Sequence, residues 1–370
     1  MEVRQWRHFD FMLFLSSLLL AGIGIALVYS ASHSSILPDT PVRDLPATRQ
    51  FGFVLVGLLF MALVMTFDYR TFGQIAPRLY VLALAILVAV LFLGTSIYGA
   101  RRWIDIGPIT VEPSEVAKVL MIIVLAKFFS DRKEQMRRFR TILISLVLLA
   151  GPIVLIYLEP HFSTVLVFVA IWLAMVVMAG ARLTHLGLLA LPAAVGAPLA
   201  YFVVLHDYMR ERLSSFINPA ADPLGVGYNA LQAEISIGSG GFFGKGFAQG
   251  TQSQLHFLRV QSSDFIFSVL GEELGFVGAA VVLTLFLVLL LRGLRVAAVA
   301  RDDFGRLVAV GVVTMVLFQF FVNVGVNVRL LPATGMPLPL VSQGGSSVVM
   351  LFVALGILQN IAMRQRGLEF

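Results

Sequence analysis

The stretch QSSDFIFSVLGEELGF, residues 261–276, places three carboxylates at the start of an apolar run that continues to Leu291. A run of this length can cross a bilayer, because a helix needs about 20 apolar residues to span the hydrocarbon core. Ionisable residues near a membrane span are costly to bury and are therefore candidates for function. The stretch predicts a membrane helix whose first turns carry Asp264, Glu272 and Glu273.

The composition of the whole chain supports the same class of protein. Of the 370 residues, 58% are hydrophobic and 13% are charged, and the mean hydropathy is +0.90. Soluble domains contain about 25% charged residues. The chain has no cysteine, which excludes disulfides and thiolate catalysis. We expect an all-α polytopic membrane protein whose residues 1–370 form a single transmembrane domain.

The apolar segments predict about ten transmembrane helices. They cover residues 10–31, 51–67, 79–95, 114–130, 141–158, 162–180, 185–206, 264–291, 306–328 and 345–363. An even number of spans places both termini on one side, and most of the 27 basic residues fall in the segments on that side. Because cytoplasmic loops are enriched in Lys and Arg, both termini are predicted to be cytoplasmic.

One outer loop, residues 207–263 between the seventh and eighth helices, is too long to be a simple connection. The peptides HDYMRERLSSFINP and YNALQAEISI have helical spacing with polar and apolar faces, which predicts extracytoplasmic helices at the membrane interface. The glycine-rich stretch GSGGFFGKGFAQGTQSQ that follows does not fit the P-loop pattern. Contact of its backbone with a lipid head group is the preferred interpretation.

Several outer cations are not explained by the orientation rule. Arginine suits a diphosphate because its planar fork donates two hydrogen bonds at once. The segment YGARRWIDIG either binds an anion through Arg102 or forms an interfacial girdle. Arg210 and Lys245 in the long loop are further candidates to hold an anionic group.

The acidic residues have alternative interpretations. Glu115 and Lys118 are three residues apart and share a helix face, either as a structural ion pair or as a pair that orients a reacting group. Asp264 is either a helix cap or an ionised carboxylate favoured by the helix dipole. Glu272 is interpreted as a buried partner of an outer arginine rather than as a catalyst.

The stretch RLLPATGMPLPLVSQGGSS, residues 329–347, contains three prolines and three glycines and cannot form a lipid-facing helix. Irregular backbone is tolerated at membrane depth only where it packs on protein or lines a cavity. The stretch therefore predicts a re-entrant segment that walls a polar cavity, with Ser342 and Ser346 supplying hydrogen bonds.

Taken together, seven stretches resemble the family of shape, elongation, division and sporulation proteins, and most closely its rod-shape-determining members. These are ARRWIDIG (100–107), EPSEVAK (112–118), HDYMRERL (206–213), DPLGVGYN (222–229), IGSGGFFGKGFAQGTQSQLHFL (237–258), SDFIFSVLGEELG (263–275) and MPLPLVSQGGSS (336–347). The resemblance implies a ten-helix peptidoglycan glycosyltransferase that polymerises lipid II during cell elongation and releases undecaprenyl diphosphate. It also implies a class B penicillin-binding protein (a transpeptidase) and elongation-complex proteins as partners, and a divalent cation, Mg²⁺ or Mn²⁺, that supports activity.

The resemblance carries roles onto individual residues. Asp264 corresponds to the catalytic aspartate of the family, and Arg102, Glu115 and Lys118 to its supporting residues. His161 departs from the family, because many relatives have aspartate in a P-D-x-G-T pattern there. Gln343 also departs, because relatives commonly have tyrosine in that turn. No residues identify a metal site.

These roles give a hypothesis for the reaction at the outer face of the bacterial cytoplasmic membrane. Asp264 takes the proton of the acceptor 4-hydroxyl, and that oxygen inverts the donor's anomeric carbon. Arg102, Lys118 or Arg210 offsets the charge of the leaving diphosphate.

A lipid II flippase is the alternative function, and a non-enzymatic scaffold is a third. A flippase needs polar groups through the midplane, whereas spans 141–158 and 306–328 supply few.

Overall fold

The structure is a computed structural model that describes residues 8–35, 41–97, 100–107, 109–203, 205, 207–218, 226–255, 257–258 and 260–365. Each predicted span corresponds to a helix: α1 (Phe11–Ser32), α2 (Pro46–Thr66), α4 (Ala76–Leu93), α5 (Pro113–Asp131), α6 (Phe139–Leu158), α7 (Phe162–Met178), α8 (Leu183–Val203), α12 (Ile266–Val299), α13 (Asp303–Asn327) and α14 (Gly345–Met363). A short helix, α3 (Tyr69–Gln74), precedes α4. The all-α polytopic membrane fold is confirmed. Arg259, residues 222–225 and both terminal segments of the predicted topology lie outside the described residues.

Hydropathy and length separate these helices into two groups. Within the described ranges, α1, α2, α4, α6, α12, α13 and α14 are long and apolar enough to cross a membrane unaided. Helix α7 is a shorter apolar helix, and α5 carries four charged residues. Large apolar side chains such as Phe92 and Val147 are more than 70% exposed, which suits contact with lipid.

The interior is formed by helices that pack along one another in pairs. α2 lies along α14, α12 along α13 and α1, and α4 along α5, while α13 also contacts α5 and α7. The central helix α13 therefore lies at the core, and its buried residues include Gln319, Asn323 and Asn327. These three amides share one face of the helix, because they recur every four residues.

The segment between α4 and α5, which contains YGARRWIDIG, forms a small sheet. Its strands are β1 (Thr95–Ile97), β2 (Ala100–Ile106) and β3 (Ile109–Val111), paired antiparallel in that order. Trp103 is opposite Thr95, and Ile104 is opposite Val111. The sheet holds Arg102 next to the beginning of α5.

Three helices form most of the described outer loop: α9 (Asp207–Ile217), α10 (Val226–Gly240) and α11 (Thr251–Gln254). The first two correspond to the predicted amphipathic peptides. α10 packs on the first turns of α12 and also contacts α9, so that the loop lies against the helix that begins just after Asp264.

Helix α12 is broken at Gly275, where φ is +62° and ψ is −161°. The part after the break is about 36 Å long at 1.5 Å per residue, enough to cross the bilayer. The part before the break contains Glu272 and Glu273, which therefore precede that membrane-crossing part. Gly275 is required here because a Cβ would lie 2.3 Å from the backbone nitrogen of Gly244.

Candidate active site

A polar cavity of about 450 Å³ lies where α2, β2, α5, α7, α13 and α14 meet the segments before α12 and α14. Asp264, Arg102, Lys118 and Glu115 all line it, as do Ser346 and Gln343 of the predicted re-entrant segment. Residues 331–344 of that segment are non-helical, and Leu338 and Leu340 are buried in protein. The segment therefore walls a polar cavity, as irregular backbone at membrane depth requires.

Asp264 lies just before α12, not in its first turn, because the helix begins at Ile266. Its Oδ1 accepts a hydrogen bond of 2.9 Å from the Ser263 hydroxyl. Burial raises the pKa of the Asp264 carboxyl, and the Ser263 hydrogen bond and the nearby Arg212 charge partly oppose that increase. A carboxylate with a raised pKa is a better proton acceptor than an ordinary aspartate.

The backbone of Asp264 is fixed by amides of α13. Asn323 and Asn327 donate to the Asp264 carbonyl at 3.0 and 2.9 Å. The Oδ1 of Asn327 accepts from the backbone and hydroxyl of Ser268 at 3.0 and 2.6 Å. These contacts fix Asp264, just before α12, and Ser268, in the first turn of that helix. This role of the two asparagines was not predicted from the sequence. The spacing of two asparagines four residues apart in an apolar helix could have indicated it.

The segment before α14 completes this support. The Ser342 hydroxyl donates to the Ser263 carbonyl at 2.5 Å and accepts from the Leu338 backbone at 2.8 Å. The Gln343 backbone donates to the Ser262 carbonyl at 2.8 Å. Ser342 thus holds the chain next to Asp264.

Arg212 is the loop cation that faces Asp264. A Cβ built on Gly335 would lie 3.5 Å from the Oδ2 of Asp264 and 3.6 Å from the Nη1 of Arg212. Both groups therefore face the same point, which a side chain larger than glycine would fill. Neither arginine lines the polar cavity itself, but Arg212 lines the neighbouring groove beside Arg102. Arg210, the predicted candidate, lines neither; it donates to the Phe202 carbonyl at 2.7 Å and lies near Asp207. The two arginines are two residues apart, so they point to different sides of α9.

Glu115 and Lys118 form the predicted pair. Their charged atoms are 2.8 Å apart, and the two side chains are almost fully buried. Breaking such a buried pair leaves an uncompensated charge, which makes each partner dependent on the other. Because both residues line the cavity, the pair places a cation and an anion in its wall.

Arg102 is held by the turn between α6 and α7. Its Nε donates to the Glu159 carbonyl at 3.1 Å, and its Nη2 donates to the Pro160 carbonyl. The Tyr208 hydroxyl donates to the same Pro160 carbonyl at 2.7 Å. The guanidinium is thereby positioned in the cavity wall, and among the described residues no carboxylate forms an ion pair with it.

His161, which differs from the aspartate common in the family, also lies in the cavity wall. Its Nδ1 is 3.1 Å from the Oε1 of Glu112. The Ser346 hydroxyl accepts from the Glu112 backbone at 3.1 Å, so that α14 is tied to the start of α5. Glu112 was not selected in the sequence analysis, although it begins the EPSEVAK motif.

Lys245 and Glu272 lie outside the cavity, in a separate cluster at the break of α12. Glu272 is fully buried and accepts from the Lys245 ammonium and the Gln252 backbone at 2.8 and 2.9 Å. Glu273 accepts from the Ser30 hydroxyl of α1 at 2.5 Å. The predicted arginine partner of Glu272 is therefore wrong, because the glycine-rich loop brings a lysine instead.

The glycine-rich loop also completes the broken backbone of α12. Lys245 and Gly246 donate to the carbonyls of Glu272 and Glu273 at 3.0 Å each, and Phe276 donates to the Gly241 carbonyl at 3.0 Å. The loop thus supplies the hydrogen bonds that the break removes, as buried backbone groups require. Lys245 and Glu272 stabilise this arrangement rather than line the cavity.

A divalent cation requires several oxygen ligands close together. Throughout the part of the chain that the structure describes, no three His, Asp or Glu residues are grouped so that they could hold a metal ion. These residues alone do not fit a preformed cation site.

Two apolar grooves lie beside the cavity. One, of about 750 Å³, is lined by Phe53, Val56, Val116 and Val349 of α2, α5 and α14. The other, of about 240 Å³, lies between α7, α9 and the segment before α14. Each groove shares lining residues with the cavity: Phe53 and Ser346 for the first, Arg102 and Ser163 for the second. The site therefore joins a polar centre to two apolar surfaces.

Comparisons with known proteins give the same assignment over nearly the whole chain. Residues 10–367 match the FtsW/RodA/SpoVE family, described as cell cycle protein. The chain is 37% identical over 321 residues to peptidoglycan glycosyltransferase MrdB of Escherichia coli K12, covering 87% of this chain and 86% of that protein. It is 38% identical over 365 residues to stage V sporulation protein E of Bacillus subtilis, covering 96% and 98%.

Solved structures agree with these sequence relatives. A chain from a structure titled for the coordination of polymerization and crosslinking by a peptidoglycan synthase complex superposes with a TM-score of 0.82 at 29% identity, covering 96% of this chain and 97% of that chain. The rod shape determining protein RodA of Thermus thermophilus gives a TM-score of 0.71 at 27% identity, covering 97% and 98%. The predicted resemblance is confirmed: the chain belongs to the FtsW/RodA/SpoVE family.

Proposed function

We propose that this chain is a peptidoglycan glycosyltransferase that polymerises lipid II at the outer face of the bacterial cytoplasmic membrane during cell elongation. The relatives named as peptidoglycan glycosyltransferases support the activity. The observation that carries the assignment of the site is the fixed Asp264 carboxyl in a cavity that also contains Arg102 and Lys118. Glycosyl transfer requires this combination of a proton acceptor and cations.

The reaction is a displacement at the anomeric carbon of the donor sugar. Asp264 accepts the proton from the acceptor's 4-hydroxyl as that oxygen forms the new glycosidic bond. The bond between the anomeric carbon and the diphosphate oxygen breaks with inversion, and undecaprenyl diphosphate leaves. Arg102, Lys118 and Arg212 offset the negative charge that develops on the diphosphate. Glu115 holds Lys118 in place through their ion pair.

The apolar grooves suit the prenyl chains of the two substrates. A prenyl chain can move from the bilayer into such a groove without a desolvation cost, because both surroundings are apolar. A prenyl chain in either groove would bring its diphosphate to the edge of the polar cavity, because each groove shares residues with it. We assign the prenyl chain of one substrate to each groove.

A class B penicillin-binding protein is the proposed partner, with other elongation-complex proteins. The similarity to a chain from a peptidoglycan synthase complex supports a partner that crosslinks glycan strands. We further propose that Mg²⁺ or Mn²⁺ supports the reaction. In that role the cation would add charge stabilisation for the diphosphate.

Transport of lipid II is the alternative, and the interior argues against it. Met315, one turn before Gln319 in α13, and then Val312 are buried. Ile122 of α5 and Met175 of α7 are buried at the same level. A charged head group crossing this apolar layer would lose its hydration. A flippase pathway would need polar groups there.

The decisive assay uses the purified chain in detergent with fluorescent lipid II and no partner protein. Glycan chains that a muramidase converts to disaccharide units would support the polymerase. Movement of lipid II between the leaflets of proteoliposomes, with no polymer formed with or without the transpeptidase, would support the flippase. Absence of both activities under all these conditions would leave the scaffold as the surviving function.

A further inference from the structure

Glu112 and His161 form a hydrogen-bonded pair in the cavity wall that the proposed reaction does not use. His161 Nδ1 lies 3.1 Å from the Oε1 of Glu112. The Ser114 hydroxyl donates to the same oxygen at 2.8 Å, and the Thr164 hydroxyl lies 3.1 Å from the Nε2 of His161. Both members line the cavity, and the Glu112 side chain retains 18% of its exposure. The carboxyl can therefore exchange a proton with the cavity.

The surroundings of the pair contain both signs of charge. The described charged groups that act on it or share the cavity are Arg49 on α2, Arg102 on β2, Glu115 and Lys118 on α5, Glu159 at the end of α6, Arg212 on α9, and Asp264. The cations attract a diphosphate, whereas an ionised Glu112 among them repels it. Occupation of the cavity by a diphosphate thus favours the neutral form of Glu112.

The pKa values of Glu112 and His161 allow this change in protonation. Burial, together with the neighbouring Glu115 charge, raises the pKa of Glu112 to about 7. Burial and the charges of Arg102, Lys118 and Arg212 lower the pKa of His161 well below its ordinary value. His161 is therefore neutral near neutral pH, and Glu112 is the member that gains or loses a proton.

We propose that Glu112, held by His161 and Ser114, takes up one proton from solvent when a lipid-linked diphosphate enters the cavity. No substrate bond forms or breaks in this step, and the proton returns to solvent after undecaprenyl diphosphate has left. The inference deepens the proposed function and rests on it. Glu112 and His161 are positioning residues for the diphosphate site, whereas the proton of the acceptor hydroxyl goes to Asp264.

The consequence is a KM for lipid II that depends on pH. Above the pKa of Glu112, each complex must capture a proton, so KM rises by up to about tenfold per pH unit. The diphosphate diester of lipid II remains ionised throughout, and the pH dependence therefore reports the protein. Glu112→Gln keeps the site neutral, so that its KM stays low and independent of pH.

The experiment measures initial polymerisation rates with fluorescent lipid II from about pH 6 to about pH 9, and separates KM from kcat. Ser114→Ala provides a second variant. Because it removes a hydrogen bond that favours ionised Glu112, the rise of KM moves to higher pH. Thermal melting and gel filtration show which variants are folded. If Glu112→Gln is unfolded, Ser114→Ala decides.

The outcomes separate the two proposals. A KM that rises with pH in the wild type, is flat in Glu112→Gln and is displaced in Ser114→Ala supports proton uptake. A flat wild-type KM, or the same rise in wild type and folded Glu112→Gln, overturns it while polymer formation keeps the function. Absence of polymer at every pH overturns the function itself.

Discussion

Asn327→Ala tests whether α13 positions Asp264, the proposed catalytic carboxylate. The substitution removes the Asn327 hydrogen bonds to the Asp264 carbonyl, to the Ser268 backbone and hydroxyl, and to the Asn323 carbonyl. Each of these four hydrogen bonds contributes a net of about 0.5–1.5 kcal/mol, so the unfolding free energy should fall by about 2–6 kcal/mol.

The effect on catalysis follows from the geometry. A displacement of about 1 Å costs about 100-fold in rate when a reacting group is misplaced. Asn323 still donates to the Asp264 carbonyl in the variant, so the remaining support limits the displacement. We therefore expect kcat to fall about tenfold. KM should change little, because Arg102 and Lys118 are untouched.

Asn360→Ala is the matched control. Asn360 is also fully buried in a membrane helix, and its amide donates to the carbonyls of Val64 and Phe67. It lies about 22 Å along α14 from Gly345, at the opposite end from the cavity. Thermal unfolding and initial polymerisation rates are measured for both variants. Equal losses of stability with wild-type kcat in Asn327→Ala would refute the positioning role.

Three further predictions follow from the placement of the charges. Arg212→Ala should raise KM for lipid II and lower kcat, whereas Arg210→Ala should leave both unchanged; equal effects in initial-rate assays would contradict the assignment of Arg212. Lys245→Met should lower the unfolding free energy by about 3–5 kcal/mol through loss of the ion pair with buried Glu272, with kcat unchanged in the folded protein. Because burial raises the pKa of Asp264, kcat should fall as pH drops through a value above the ordinary 3.9 or so of aspartate, and a pH–rate profile without that acidic limb would exclude it as the base.

The helices and the Glu115–Lys118 pair could be predicted from the sequence because both depend on short-range patterns. Apolar runs of membrane length define the spans, and a separation of three residues places two side chains on one helix face. The re-entrant segment was also predictable, since prolines and glycines exclude a lipid-facing helix. These features require no knowledge of which elements are neighbours.

The remaining features depend on tertiary contacts. The partner of Glu272 is Lys245 because the glycine-rich loop docks at the Gly275 break, and local spacing carries no sign of that docking. The choice between Arg210 and Arg212 depends on how α9 lies on the cavity. Both arginines fit the same amphipathic pattern, so the sequence alone could not separate them.

In the proposed reaction the Asp264 carboxylate accepts the proton of the attacking hydroxyl, and Asp264→Asn is the sharpest test of that role. The amide preserves size but cannot act as the base, and a general base contributes about 10²–10⁴-fold to a rate. We predict that the folded variant binds lipid II normally and loses polymerisation by at least about 100-fold. Glycan strands of wild-type length formed at the wild-type rate would contradict the account.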